Sequence, residues 1–392
     1  MKYILFIISF FLLITSPIID DIFNIDQTKS LEKRQLATFP TFDVPIDSIP
    51  KGINSYLDDN FGFRNLFVKT NALLKYHLFN SVNNENVMMG KSNFLFLRKD
   101  FAEGVDYIYG DYTNTNLKSD FELKVLAKSY IQRTRFLKSR GIDYYSILLP
   151  NKHTVYSEFL PFQAKMCRVD TISKMDQEIS FLKKHRVSIL DPREMLKREA
   201  KQNLLYIKED THWNEYGAFL TTQFLLEEIN KKHREVPRMK LSDYYLLWLS
   251  DVHTWKEEYK EDWCKNGCLD IYYVGSDKQF YCPQGLFSAI GFNTNRFLDS
   301  LPIFKPKSRL KPIKSFQSDN ISVKKKIIFT CDMAPSDKVV LVFRDSYGDC
   351  MIKFLIDKFR KVIFLKEQYN DRAVNVYNPD LVIDAHVERL FR

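Results

Sequence analysis

Short apolar runs separated by helix-period segments recur through most of this chain, and that alternation restricts its fold more than any other feature. The runs are "YYSILLP" (144–150), "VSIL" (187–190), "NLLYIKEDTHW" (203–213), "KVVLVF" (338–343), "KVIFL" (361–365) and "DLVID" (380–384). Before and between these runs lie segments of helical periodicity. One is Lys118 to Ser139, with apolar positions at Phe121, Leu123, Leu126, Tyr130 and Phe136 and Gly141 to end it. Further helices are expected over 171–184 and from about Asn214 to Lys231. Strands alternating with helices require crossover connections, so the expected fold is α/β, a mostly parallel sheet flanked by helices. The segment from about 235 to 325 breaks the rhythm. It is rich in Tyr, Lys, Pro and Cys and reads as a long insertion on one side of the sheet.

The amino terminus follows another rule. Lys2 precedes "YILFIISFFLLITSPII", an uncharged stretch from Tyr3 to Ile19 ended by Asp20 and Asp21. As a helix it would reach about 26 Å, enough for a short membrane span. The small residues Thr15 and Ser16 run into Pro17, an awkward cleavage site, so an uncleaved signal anchor is favoured over a cleaved signal peptide. Positive charge before the span and acidic charge after it direct the body of the protein out of the cytoplasm, although Lys29, Lys33 and Arg34 soon follow. The expected organisation is an anchor over 1–25, a linker and helical segment over 26–88, and a main domain over 89–392, entered through "MGKSNFLFLR".

With 45% apolar residues over 392 positions, the chain can bury a full core, which excludes intrinsic disorder. Its formal charge of +9 is dispersed, without zinc-finger spacing, an RNP-type run or a basic heptad array, so nucleic acid is not an expected partner. Six cysteines fit an oxidising compartment: Cys264, Cys268 and Cys282 cluster, and Cys167, Cys331 and Cys350 are scattered. Disulfides, as many as three, are their expected use. No histidine pair accompanies the cysteines, so neither a metal nor a cofactor is expected.

Two short motifs carry possible chemistry. In Asp210-Thr211-His212, residues two apart in an extended loop point the same way, so Asp210 can orient the His212 ring and leave its other nitrogen as a base. The competing account is helix-start architecture before the helix at Asn214. In "KVVLVFRDSYGDCMIKFL", Ser346 lies where a strand turns into a helix, a place where backbone N–H groups favour negative charge. There too a plainer account stands, because Ser346 and Asp349 match a loose capping box. Both motifs are read as following a strand and preceding a helix. They would then project from the carboxyl edge of one sheet, as an acid–base–nucleophile site requires.

With these stretches the chain resembles the SGNH-hydrolase-like polysaccharide O-acetyltransferases of the alginate O-acetylation (AlgJ/AlgX-like) type. The resemblance is carried by "DTHWN" (210–214), "RDSY" (344–347), "PNKHTVYSEFLP" (150–161), "MGKSNFLFL" (89–97), "DDNFGFRNLF" (58–67) and "LEKRQLATFP" (31–40). It implies a permuted SGNH-like fold with Ser346 as nucleophile, His212 as base and Asp210 as orienting carboxylate. By analogy Arg344 or Asn151 would bind an oxyanion or acyl group. Lys152 is as readily a surface charge, Asp345 a shaper of the turn, and Trp213 a residue to watch beside His212, with loop packing as its plainer role. The implied reaction moves an acetyl group through acyl-serine onto hydroxyls of an exported polysaccharide, outside the cytoplasm. A membrane-bound O-acyltransferase would be the acetyl donor. An acetyl-esterase with the same triad, or a non-catalytic scaffold of a polysaccharide-modifying complex, remain alternatives. Polymer identity, disulfide pairing and oligomeric state are not legible at this level.

Overall fold

The computed structural model describes residues 2–23, 25–26, 36–41, 43, 45–79, 87–98, 107–208, 210–248, 272–274, 279–281, 302–308, 310, 312–315 and 326–391. Helices α1 (Lys2–Phe23), α2 (Ile49–Asn60) and α3 (Arg64–Phe79) form one unit. The second unit begins with the hairpin β1 (Val87–Met89) and β2 (Leu95–Leu97). It continues through α4 (Tyr107–Thr113), α5 (Asp120–Ser139), β3 (Asp143–Leu149), α6 (Lys152–Val155), α7 (Phe162–Met166), α8 (Lys174–Lys184), α9 (Arg193–Glu199) and α10 (Glu215–Lys232). Strands β4 (Tyr244–Trp248), β5 (Tyr272–Val274), β6 (Gln279–Tyr281), β7 (Pro302–Pro306), β8 (Ile313–Ser315), β9 (Lys326–Thr330) and β10 (Ser336–Arg344) follow. The chain then closes with α11 (Ile352–Leu355), β11 (Phe359–Leu365), α12 (Asp371–Tyr377) and β12 (Leu381–Val387).

In the first unit, α1 contains the stretch Tyr3–Asp20, long and apolar enough to cross a membrane by length and composition, as an anchor or a signal sequence would be. Its large apolar side chains are exposed. Asp20 near its end accepts hydrogen bonds from the backbone N–H groups of Asp26 and Phe63, at 2.5 and 2.6 Å.

The second unit is α/β. Its six-stranded sheet runs β3-β12-β10-β11-β9-β8. The pairs β3/β12, β12/β10 and β10/β11 are parallel, and β9 and β8 add antiparallel partners at one side. Alternate residues of the central strands enter cores on opposite faces. Val340, Val342, Val362, Phe364, Leu381 and Ile383 lie on one side; Leu341, Phe343, Ile363, Leu365 and Val382 lie on the other. Burial on both faces is why these strands read as unbroken apolar runs. A capping box starts α5: Glu122 N–H donates to Ser119 Oγ at 3.3 Å, and Ser119 N–H donates to the Glu122 carboxylate at 2.8 Å. Gly141, at φ +71°, supplies the left-handed residue that ends it.

Several expectations are corrected. "VSIL" forms no strand, only one parallel bridge from Leu190 to Ile147. "NLLYIKEDTHW" makes no strand of the sheet either. Its one pairing is the antiparallel bridge between Tyr206 and Trp213, a chain doubling back within itself. The edge strand β8 and the β4/β7 pair fall inside the segment read as an insertion. Phe304 on β7 is wholly buried, with its ring 4.9 Å from that of Phe219 on α10, so this segment supplies part of the main core. Cys167, Cys331 and Cys350 are free thiols, which rules out a set of three disulfides. Cys264, Cys268 and Cys282, like residues 31–35 and most of 249–301, lie outside the described residues.

Candidate active site

Parallel pairing puts the carboxyl ends of β3, β12 and β10 on one edge of the sheet, as the registers Leu149↔Val387 and Ala385↔Arg344 require. Asn151, Glu388 and Ser346 follow directly from those ends, where sites assemble in α/β folds.

After β10, Asp345 builds the turn. Its Oδ1 accepts from the Tyr347 and Gly348 N–H groups at 2.8 and 3.4 Å, while Oδ2 accepts from Val387 N–H at 2.6 Å. The capping role open to Ser346 is therefore filled by Asp345, and Asp349 pairs with Arg344 and Lys366 instead. Gly348 is needed because a Cβ there would lie 2.6 Å from Arg344 Cβ. Relieved of capping, Ser346 Oγ lies 3.0 Å from His212 Nε2. His212 Nδ1 is 2.8 Å from Asp210 Oδ1, which also accepts the His212 backbone N–H at 3.0 Å. A carboxylate can only accept, so Nδ1 carries the proton and Nε2 is left to accept from the serine hydroxyl. Asp210 is 1% exposed, and the His212 ring retains some exposure.

The loop bearing Asp210 and His212 closes on itself. Ile207 N–H donates to His212 O at 3.1 Å and Asn214 N–H to Leu205 O at 2.9 Å. Asn214 Oδ1 then caps α10 by accepting from Tyr216 and Gly217 N–H, both at 3.0 Å. The site thus stands at a helix start, and the helix-start chemistry belongs to Asn214.

Tyr347 joins this loop to the nucleophile turn. Its hydroxyl donates to Thr211 O, its ring lies 4.9 Å from the His212 ring, and its carbonyl accepts from Trp213 Nε1 at 3.2 Å. Burial raises the Tyr347 pKa, against the opposing pull of Arg389, and keeps the phenol protonated as that donor. Trp213 is fully buried and packs the loop. Arg344 is also buried; its guanidinium pairs with Asp349 and donates to Asp345 O at 3.3 Å. It braces the turn from beneath, a different place from the acyl-binding one expected. Asn151 is buried: its N–H donates to Glu388, its Oδ1 accepts from Arg389 at 2.9 Å, and its Nδ2 has no partner among the described residues. Arg389 also lies 5.2 Å over the Tyr347 ring. Lys152 is buried rather than a surface charge.

Sequence reasoning passed over Tyr347, Arg389 and Glu388, whose only local signal was adjacency to a strand end. A second Asp-x-His also escaped it. Asp384 and His386 on β12 make the same Nδ1 contact at 2.8 Å, but His386 Nε2 donates to Glu367 O at 3.2 Å and faces no nucleophile. Burial by itself would lower the His386 pKa; the Asp384 hydrogen bond and charge outweigh it and raise the value. Among the described residues no group of three or more His, Cys, Asp or Glu side chains could hold a metal.

Residues 87–251 match the family model for the SGNH hydrolase-like domain of acetyltransferase AlgX. The match includes Asn151, Asp210 and His212 and stops before Ser346. Two structures of PatB1 from Bacillus cereus, one with a sulfonyl adduct, align with a TM-score of 0.52 at 14% and 15% identity. Each alignment covers 79% of this chain and 96% or 97% of PatB1. The O-acetyltransferase domain of Pseudomonas putida AlgJ aligns at 16% identity over 78% of this chain and 92% of that domain, with a TM-score of 0.41. No curated protein sequence matches the chain. The resemblance read from the motifs thus extends to residues 87–251, which are similar to the SGNH hydrolase-like domain of acetyltransferase AlgX, and the α/β fold is similar to that of PatB1.

Proposed function

We propose that this protein is an O-acetyltransferase that carries an acetyl group on Ser346 and delivers it to hydroxyls of an exported or cell-surface polysaccharide. The observation that carries the reading is the contact of His212 Nε2 with Ser346 Oγ at 3.0 Å, backed by Asp210 on Nδ1 at 2.8 Å. In the first half-reaction Ser346 Oγ attacks the acetyl carbonyl and its proton passes to His212 Nε2. The tetrahedral adduct collapses, and the leaving group departs with that proton. In the second, a sugar hydroxyl gives its proton to Nε2 and attacks the acyl-serine, and Ser346 Oγ leaves and recovers the proton. Asp210 stabilises the imidazolium in both halves. Asn151, with a buried Nδ2 that has no partner among the described residues, at the same sheet edge, is the side chain best suited to donate to the oxyanion.

The family model supports acetyl transfer as the chemistry. The apolar helix α1 supports an extracytoplasmic site held at the membrane, next to a membrane-bound O-acyltransferase that supplies acetyl. As one PatB1 structure holds a sulfonyl adduct, a sulfonyl fluoride is a fitting trap here. The test is intact mass and peptide mapping of the detergent-purified full chain after a sulfonyl fluoride or 4-nitrophenyl acetate, beside Ser346→Ala and His212→Ala. A single adduct on Ser346 that needs His212 supports acyl-serine chemistry, and oligosaccharides added next identify sugar or water as acceptor. A folded protein that takes neither reagent overturns the reading.

A further inference from the structure

We propose that Lys152 is a positioning residue for the acid–base half of the site, its ammonium gathering the backbone that carries Asp210. This rests on the triad reading above. Lys152 begins α6, three residues beyond the end of β3, which ties it to the central sheet. Its side chain runs inward, the residue being 4% exposed. Among the described residues its Nζ meets four carbonyl oxygens: Leu95 at 2.9 Å, Ile207 at 2.7 Å, Lys208 at 2.6 Å and Asp210 at 3.0 Å. The rings of Phe94 and Phe96 lie 5.1 and 5.4 Å away.

Three of those carbonyls come from the turn just before His212, a stretch outside the main sheet. Carbonyl oxygens converging on one point repel each other; Ile207 O and Lys208 O already accept the backbone N–H groups of Asp210 and Leu95, at 3.3 and 2.8 Å, and offer their second lone pairs to the ammonium. A cation at their centre removes the repulsion and sets the turn in one shape. An ammonium is compact and rotates its three N–H groups among four acceptors, which the planar fork of an arginine cannot do. The carbonyl of Asp210 is thereby held relative to β3, and its carboxylate aims His212 at Ser346.

The experiment uses the full chain in detergent with 4-nitrophenyl acetate, reading nitrophenolate release and Ser346 acetylation. Lys152→Met should remain folded and acylate about 100-fold more slowly, the cost of a misplacement near 1 Å. Alkylammonium ions should restore Lys152→Ala by about tenfold, saturably, while tetramethylammonium, which has charge but no N–H, should not. In an Asp210→Asn background, Lys152→Met should cost less than about threefold more, because both changes remove one function. A folded Lys152→Met at the wild-type rate, or losses that multiply fully with Asp210→Asn, overturns the proposal. Should Lys152→Met not fold, Lys152→Arg replaces it: retained charge with a lost rate supports the carbonyl cage, and full activity refutes it. Absence of acylation in the wild type defeats the triad reading instead. In that case the downfield His212 Nδ1–H resonance decides, lost in Lys152→Met if the lysine positions Asp210 and unchanged if it does not.

Discussion

His153 should make this fold acid-sensitive. It is the second residue of α6, 4% exposed, its ring edge-on to Tyr112 at 6.2 Å. Burial pushes its pKa from 6.5 down to about 4, with Arg389 and Lys174 adding to the shift and Asp111 opposing it. A folded-state value below the unfolded one means the stabilising form is neutral. Its contribution is complete above pH 6.5 and is lost as pH falls toward the folded value, because the unfolded chain takes up the proton first. Evaluated for these two values, the loss between pH 7.5 and 4.5 is about 2.5 kcal/mol. The assay is urea unfolding by tryptophan fluorescence at both pH values, for the wild type and for His153→Leu, which keeps an apolar group in place. Every other titrating group is common to the two proteins, so the difference between their pH responses isolates this imidazole. Parallel responses would refute the reasoning.

Histidine NMR should separate the two buried imidazoles, with His386 titrating above its ordinary 6.5 and His153 below. The His386 contribution to stability is accordingly complete below pH 6.5 and lost as pH rises through its raised value. Lys353→Met leaves buried Glu215 without its ammonium partner and should cost about 3–5 kcal/mol in urea unfolding. Gly348→Ala drives a Cβ to within 2.6 Å of Arg344 Cβ, so acylation of Ser346 should fall by about tenfold or more while thermal unfolding stays cooperative. Ser119→Ala removes one arm of the α5 capping box and should lower stability by about 1 kcal/mol with the acylation rate unchanged.

What the sequence determined by itself is whatever a local window can hold. Mostly apolar runs at 144–150, 338–343, 361–365 and 380–384 became β3, β10, β11 and β12, since a strand buried on both faces is apolar at most positions, with exceptions such as Ser146 and Asp384. The helical run from Lys118 to Ser139 became α5, where Leu123, Leu126 and Tyr130 are buried as expected, whereas Phe121 is 75% exposed. Asp210, His212 and Ser346 were also legible as candidates, because each stands beside a helix start in a chain with few histidines. Tertiary structure decided everything that depends on which surfaces meet. Two Asp-x-His pairs have identical spacing, yet one faces Ser346 across 134 residues of chain and the other ends on a carbonyl. The acid–base loop issues from a turn closed by Tyr206 and Trp213, so its place at the sheet edge could not come from strand periodicity. The cap open to Ser346 went to Asp345, and Lys152, in a polar stretch with every mark of a surface residue, turned inward to four carbonyls. Periodicity and capping are encoded within a few residues; a hydrogen bond between distant segments depends on the folded backbone that brings its donor and acceptor together.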